Sequence, residues 1–414
     1  MELKPNEQVK YNIIKEYVSG KITRKQAAIK LAVSTKTISV LKAGYEQEGK
    51  AFFKHKGTGR IVVNKVLNEV EDSIVRCYEE RYSGFNFSHF YELTTSTGEL
   101  YELTYGEVLS ARTIARILER HGVTSPQANK KRREVSSHPV RPRRLAFGEL
   151  VQTDASIHDW LSLNTEKLSN GRAFNVALHL AVDDSNSSIL AGYFAKEETL
   201  AGYYEIFRQI LEGYGIPDTF YTDRRTVFWH KAGSTQFEQA CQDLGVRIIS
   251  TSVAQAKGRV ERSFRTHQDR LVNELRASNI TTIDAANAYL PEYIRRHNEK
   301  FALRPSDGLA HTEVAFRPLD KHTDIDRILS TRKLHKVLSG GIVSFSSNQY
   351  CIVKEDGSKL LLPVNTPVEV IKTLDERLLI AHNGIDYGTQ FIATGRNTAH
   401  APPLTHPWKQ HYPR

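Results

Sequence analysis

Apolar residues recur at helical spacing from the start of the chain. Val9, Ile13, Ile14 and Val18 fall on one face of a first helix, within a helical unit over residues 8–48, and Gly20 ends that helix. Thr23 caps a second helix, with Gln26 placed to complete a capping box and Ala27, Ala28 and Leu31 as its apolar side. Ala32-Val33-Ser34 reads as a tight turn into a third helix that begins at Thr35. Residues 64–82 predict a longer helix through Val66, Leu67, Val70, Ile74, Val75 and Tyr78. A short pair follows near 104–122: Thr104 to Leu109, then Ser110 as the cap of a helix with Ile114, Ile117 and Leu118 inward and Arg112, Thr113 and Arg116 outward.

From about residue 147 the period changes. Strands are predicted at Glu149–Asp154, Ala173–Asp183 and Ser188–Phe194, the last two separated by an Asp183-Asp184 turn whose aspartates read as turn residues. A helix from Thr199, a strand at Thr219–Asp223, a helix at Thr235–Leu244, a strand at Val246–Ser250 and a long helix over about 255–277 follow. Three strands, then helix, strand, helix, strand, helix, is the order of an RNase H-like α/β domain. Beyond about 335 the pattern is short β: a hairpin at Val343–Val353, further strands at Thr366–Ile371 and Leu378–Ala381, and turn signals at Asp356-Gly357 and Asn383-Gly384. Five short strands of this kind suit a small all-β, SH3-like barrel. The expected class is therefore multidomain: all-α helix-turn-helix units, a central α/β RNase H-like core, and a small β-barrel. The expected bounds are 1–60 and 61–128 for the two helical domains, 129–146 for a linker, 147–305 for the core, 306–334 for a connector and 335–397 for the barrel. The Pro- and His-rich tail 398–414 is expected to be disordered.

Charge changes the picture of the helical units. The chain has 414 residues and a formal net charge of +10, a balance that favours a polyanionic partner such as nucleic acid. On the third helix Thr35, Lys36 and Ser39 are short polar or basic groups suited to a DNA groove, and Arg112, Thr113 and Arg116 repeat the pattern in the second unit. Residues 54–60 form a basic, glycine-containing arm. Residues 129–144 hold Lys130, Lys131, Arg132, Arg133, Arg141, Arg143 and Arg144 with two prolines and no apolar period; they read as an extended linker that tracks a DNA backbone, or as a solvated spacer. Cys77, Cys241 and Cys351 are too far apart for a zinc site or a disulfide framework and read as reduced core thiols. With no signal peptide and no run of 18 apolar residues, no membrane association is expected, and the location expected is cytoplasmic.

Candidate chemistry lies in three carboxylates. Phosphoryl transfer on DNA must activate the attacking oxygen and stabilise the leaving one, which two Mg²⁺ ions about 3.5–4 Å apart can do. Mg²⁺ requires hard oxygen ligands on rigid mountings. Asp154 ends the first predicted strand, Asp223 the fourth, and Glu261 lies on the last long helix. In the expected sheet the first and fourth strands are neighbours, so all three meet at one edge. Around Glu261, Lys257 and Arg265 share its helical face, as does Gly258. Glycine costs a helix about 1 kcal/mol relative to alanine, a cost explained if a DNA backbone approaches here. The alternative is that the two cations only pair with Glu261 on a solvated surface.

The segments Leu150-Val-Gln-Thr-Asp-Ala-Ser-Ile-His-Asp-Trp160, Tyr221-Thr-Asp223 and Gln255-Ala-Lys-Gly-Arg-Val-Glu-Arg262 resemble transposases of the ISNCY group, within the retroviral-integrase-like DDE superfamily. The resemblance runs over nearly the whole chain. It implies that Asp154, Asp223 and Glu261 are a metal-binding catalytic triad using two Mg²⁺ ions, with Mn²⁺ as a substitute. Lys257, Arg259 and Arg265 would contact DNA, and the partners would be double-stranded transposon ends and target DNA, gripped by a homodimer or larger assembly. His158 and Trp160 match positions after the first aspartate; His158 contacts a phosphate or simply packs. Ala155 stands where the group usually has glycine, which would matter if a positive φ were required there. A regulator that kept the fold without catalysis, and a metal nuclease that cuts without joining, are the other function classes compatible with the pattern.

Overall fold

The computed structural model describes residues 3–55, 65–126, 141–162, 175–231, 233–251, 258–304 and 313–394. The chain divides into two compact units, Met1–Ser73 and Ile74–Arg414.

The first unit holds α1 (Pro5–Val18), α2 (Arg24–Leu31), α3 (Thr35–Glu48) and a 3₁₀ turn, Gly49–Phe53. The Thr23–Gln26 box on α2 is the expected one, and within the expected tight turn Ala32 takes the left-handed conformation that ends α2 while the Ser34 hydroxyl accepts from the Thr37 amide at the start of α3. Ile14, Ala27, Ala28, Ile38 and Phe53 make the core. The buried face of α1 differs from the expected one. Val9 and Val18 are exposed, while Tyr11 packs its ring on Tyr45 and Phe53, each 5.8 Å away. Aromatic rings bury more area than valines and turn the helix towards themselves.

The second unit begins within α4 (Asn68–Arg81), followed by α5 (Phe87–Ser96), α6 (Glu99–Leu103) and α7 (Ala111–Arg120). Ser110 caps α7 as expected. Residues 104–109 are not helical: Tyr105 and Gly106 both take positive φ, and the helix preceding the turn is α6. The pattern of the sequence left α5 unassigned.

The central sheet has the order β3-β2-β1-β4-β5, with β1 (Val151–His158), β2 (Val176–Asp183), β3 (Ile189–Ala195), β4 (Thr219–Asp223) and β5 (Arg247–Thr251). β2 runs antiparallel to both β1 and β3, while β1, β4 and β5 are mutually parallel. On one face α8 (Leu200–Gly213) and α9 (Gln236–Asp243) bury Tyr203, Phe207, Phe220 and Phe237. On the other, α10 (Gly258–Ala277) and α11 (Ile283–Phe301) bury Trp160, Phe194, Phe264 and Leu290. α5 docks on α10, with Asn86 Nδ2 donating to Asp269 at 3.1 Å and His89 Nε2 lying 2.8 Å from Glu274, so the helices expected as a separate second domain are built onto the core.

α11 was not predicted, and it seals an edge. Asn287 accepts from the Phe194 amide at 2.7 Å and donates to its carbonyl at 3.0 Å; Asn298 does the same at Ile189, both at 2.8 Å. These side chains stand in for a further strand beside β3, which would otherwise offer unpaired backbone.

The expected connector packs back on the core: Val314 bridges Phe147, and Arg317 donates to the carbonyls of Leu244 and Gly245. After α12 (Ile325–Ile328) comes a sheet of seven strands rather than five: β6 (Thr331–Lys336), β7 (Ile342–Phe345), β8 (Asn348–Val353), β9 (Lys359–Leu360), β10 (Pro367–Lys372), β11 (Leu378–His382) and β12 (Ile385–Thr394). The order is β6-β10-β11-β12-β8-β7, with β9 on β8. The β7–β8 hairpin turns through Ser346 and Ser347, and β11–β12 through Asn383 and Gly384, all at positive φ as two-residue turns require. Val337, Val343, Ile352, Val368, Val370 and Ile380 form its core. The tail 398–414 lies outside the described residues.

Candidate active site

Strand alternation sets which side chains meet. Val151 and Ala155 of β1 pack into the core beneath α8. Gln152 accepts from the Val260 amide of α10 at 3.3 Å, and Ser156 Oγ accepts from Gln268 of α10 at 3.4 Å. Asp154 lies between Gln152 and Ser156 at the same parity, so it stands on the face that α10 covers. On β4, Phe220 pairs with Val151 and Tyr221 with Gln152, and the ladder between the two strands ends there. Asp154 and Asp223 each follow two residues beyond the last pair, share its parity, and are both half-buried. Asp223 ends β4 as expected, whereas β1 runs four residues past Asp154 to His158. Beneath them, burial pushes the Tyr203 phenol well above its usual range, and the charges of Asp154 and Asp223 both add to that.

Glu261 lies in the first turn of α10 and is exposed. It shares a helical stripe with Arg265 and Gln268, and Gln268 reaches β1, so the stripe borders the strand that carries Asp154. Among the described residues no group of three or more His, Cys, Asp or Glu side chains is placed to hold a metal ion; Asp154 and Asp223 lie on neighbouring strands and Glu261 on the helix that packs beside them. The donor set is carboxylate oxygen alone, the hard ligand type that fits Mg²⁺ or Mn²⁺. Gly258 opens α10 with nothing among the described residues within 4 Å of where a Cβ would stand, so crowding by those residues is not why it is glycine. Arg265 is exposed; Lys257 lies outside the described residues.

Three residues that sequence patterning missed surround Asp223. The Arg225 amide donates to Asp223 Oδ1 at 3.0 Å and its Nε to Oδ2 at 3.1 Å, while its guanidinium also pairs with Glu198. Glu198 accepts from the Tyr203 hydroxyl at 2.7 Å. Arg225, two positions after the motif aspartate, was visible as a nearby cation; Glu198 and Tyr203 carried no signal, because only the packing of α8 brings them here.

Trp160 is fully buried, donates Nε1 to the Ser156 carbonyl at 2.9 Å and packs on Phe194. His158 rests edge-on against it at 5.3 Å. Both act in packing at the end of β1. Ala155 pairs with His179 in the strand and has no positive φ, so alanine meets no backbone demand for glycine.

Asp183 and Asp184 are more than turn residues, since both are fully buried. Asp183 accepts from the amides of Gly148, Ser185 and Asn186. Asp184 pairs with Arg141 and with Arg259 and accepts from the Arg144 amide. Arg143 donates to the carbonyls of Asp184 and Ser185 and to Ser187 Oγ, and Arg144 pairs with Glu149 at 3.4 Å. The arginines expected to track DNA thus have partners within the core; a half-buried guanidinium needs a carboxylate or carbonyl, and this turn supplies both. Lys130, Lys131, Arg132 and Arg133 lie outside the described residues. Thr35, Lys36, Ser39, Arg112 and Arg116 are exposed, and Thr113 is half-buried beside Ser110. The three cysteines are buried and free, and no described helix is long and apolar enough to cross a membrane.

The chain is 31% identical over 459 residues to the transposase for insertion sequence IS1202 of Streptococcus pneumoniae, covering 98% of this chain and 93% of that protein. It is 29% identical over 396 residues to a protein of Sinorhizobium fredii named as transposase y4bF, covering 94% of this chain and 81% of that one. No protein-family model matches. Among solved structures it is similar to a simian T-cell lymphotropic virus intasome in complex with PP2A regulatory subunit B56 gamma (TM-score 0.34, 16% identity, 74% of this chain and 99% of that one). It is also similar to the HTLV-2 integrase catalytic core domain in complex with magnesium (TM-score 0.29, 18% identity, 38% and 90%).

Proposed function

The chain belongs to the transposase family, within the DDE superfamily, and from that premise we propose that it cuts transposon ends and joins them to target DNA at Asp154, Asp223 and Glu261. What supports this reading is that Asp154 and Asp223 each follow, at the same parity, two residues beyond the last paired position of neighbouring parallel strands, and that both charges act on the one Tyr203 phenol. Those two carboxylates, with Glu261 approaching from α10, would hold a pair of Mg²⁺ ions, for which Mn²⁺ can substitute. Such ions, when bound, activate the attacking oxygen and stabilise the leaving one.

The remaining work falls to the chain itself. The two aspartates are held by a sheet buried on both faces, which limits their movement. Arg225 offsets the charge of Asp223 and donates one hydrogen bond to each of its oxygens, each of which has a second lone pair that could face an ion. Gly258 leaves room for a DNA backbone at the start of α10, and Arg265 one turn beyond Glu261 supplies a positive contact for phosphate. Water would serve as the first nucleophile and the freed 3′-hydroxyl as the second, with no covalent link between protein and DNA. α2–α3 would act as a helix-turn-helix presenting Thr35, Lys36 and Ser39 to the terminal inverted repeats, with Arg112, Thr113 and Arg116 as a second contact. The C-terminal sheet would be a small SH3-like barrel. Joining two ends needs at least two active sites, hence a homodimer or larger assembly on DNA.

The test is strand transfer with a pre-cleaved end and Mg²⁺. Asp223→Asn is expected to abolish transfer while binding to the ends persists; transfer equal to that of the unaltered protein refutes the assignment. Cleavage without joining by the unaltered protein would indicate a nuclease.

A further inference from the structure

Gln152 is fully buried two residues before Asp154, and its amide bridges two elements. Its Nε2 donates to Asp184 Oδ1 at 2.7 Å, and its Oε1 accepts from the Val260 amide at 3.3 Å. Arg259 Nη1 reaches the same Asp184 oxygen at 2.7 Å, and its Nη2 donates to the Arg141 carbonyl at 3.1 Å. Asp184 Oδ2 accepts from the Arg144 amide at 2.9 Å. One buried carboxylate thus grips residue 259 directly and residue 260 through Gln152, the two positions that immediately precede Glu261.

We propose that Asp184 is a positioning residue for the active site, fixing the start of α10 against β1 so that Glu261 is presented towards Asp154. This rests on the triad reading above. A buried ion pair is a poor device for stability alone, because desolvating the charges offsets most of their attraction, and apolar replacements of similar volume are often neutral or stabilising. What such a pair does well is to select one geometry. Here the donors to the Asp184 carboxylate come from the chain entering the sheet (Arg141 and Arg144), from β1 (Gln152) and from the first turn of α10 (Arg259). Asp184 touches no reacting atom; it acts through Gln152 and Arg259.

The test uses the full chain. Asp184→Asn keeps the shape and removes the charge. Mg²⁺ affinity, measured by calorimetry without DNA, is expected to fall about 10–100-fold, as when a group behind a metal ligand is removed. Amide exchange is expected to quicken in residues 259–264 and not in β2, and binding to transposon ends is expected to stay unchanged. A role confined to stability would instead quicken exchange across the sheet and leave the Mg²⁺ affinity of the folded fraction intact. If Asp184→Asn does not fold, Arg259→Gln, at the edge of the network, is put through the Mg²⁺ titration and the amide-exchange measurement, with the same expectation for those two. Unaltered Mg²⁺ affinity in a folded variant overturns the proposal. Absence of Mg²⁺ binding by the unaltered protein, or its persistence in Asp223→Asn, overturns the triad reading beneath it.

Discussion

A methyl group added at Gly202 would stand 2.4 Å from the ring of His179. That ring cannot retreat: its Nε2 accepts from the Thr199 amide at 3.3 Å, Nδ1 faces the Tyr193 carbonyl, and Tyr203 closes on it at 4.8 Å. Gly202→Ala is expected to destabilise the chain by about 1–3 kcal/mol, as overpacking does, seen as a lower denaturant midpoint at unchanged slope. The same burial holds several histidines neutral. It pulls His179 and His297 down to about 4, and His267, beside His297 and Arg270, well below its usual value. The unfolded chain takes up these protons near pH 6.5, whereas the folded chain refuses those of His179 and His297 until about pH 4. Their contribution to stability is therefore complete above 6.5 and is lost as pH falls to 4. The thermal midpoint should decline across that window; a flat profile there would contradict the burial.

At the scale of elements, α11 shows what tertiary context adds. Asn287→Ala removes both partners of the Phe194 backbone and is expected to cost about 1–3 kcal/mol for each group left unpaired, measured by denaturant unfolding. No local pattern announces this helix. Its buried positions are Ala286, Leu290, Tyr293 and His297, it carries Pro291, and its asparagines matter only beside β3. By contrast, Thr23, Ser34, Ser110, Thr199 and Thr235 each cap a helix, and those starts were legible because a cap is a contact over three residues. The strands bearing Asp154 and Asp223 were legible for a similar reason, since alternation is local and parity follows from it. The role of Asp184 was hidden. Its partners Arg141 and Arg259 lie 43 and 75 residues away, and an Asp-Asp pair after a strand looks like any solvent-facing turn until those arginines are placed. The two short strands β6 and β9 and the largely exposed β12 escaped because their burial does not alternate strictly.

Across the whole molecule, the net charge of +10 sets a long-range attraction to DNA that salt should weaken. Replacing an exposed cation proposed to contact phosphate, such as Lys36 or Arg265, by alanine is expected to weaken binding across sequences. It should also reduce the slope of log affinity against log salt by about 1, in titrations from low to moderate salt; an unchanged slope would remove that residue from the interface. The structure joins α4–α7, the sheet with its helices, and the C-terminal strands into one unit, with the three carboxylates all inside it. The proposed activity depends on the ions held between β1, β4 and the start of α10. Calorimetric titration of Mg²⁺ into the protein bound to transposon-end DNA measures this most directly. Two ions per active site are predicted for the unaltered protein, with binding lost or severely weakened in each of Asp154→Asn, Asp223→Asn and Glu261→Gln. Unchanged ion number and affinity in any one of those variants would contradict the account.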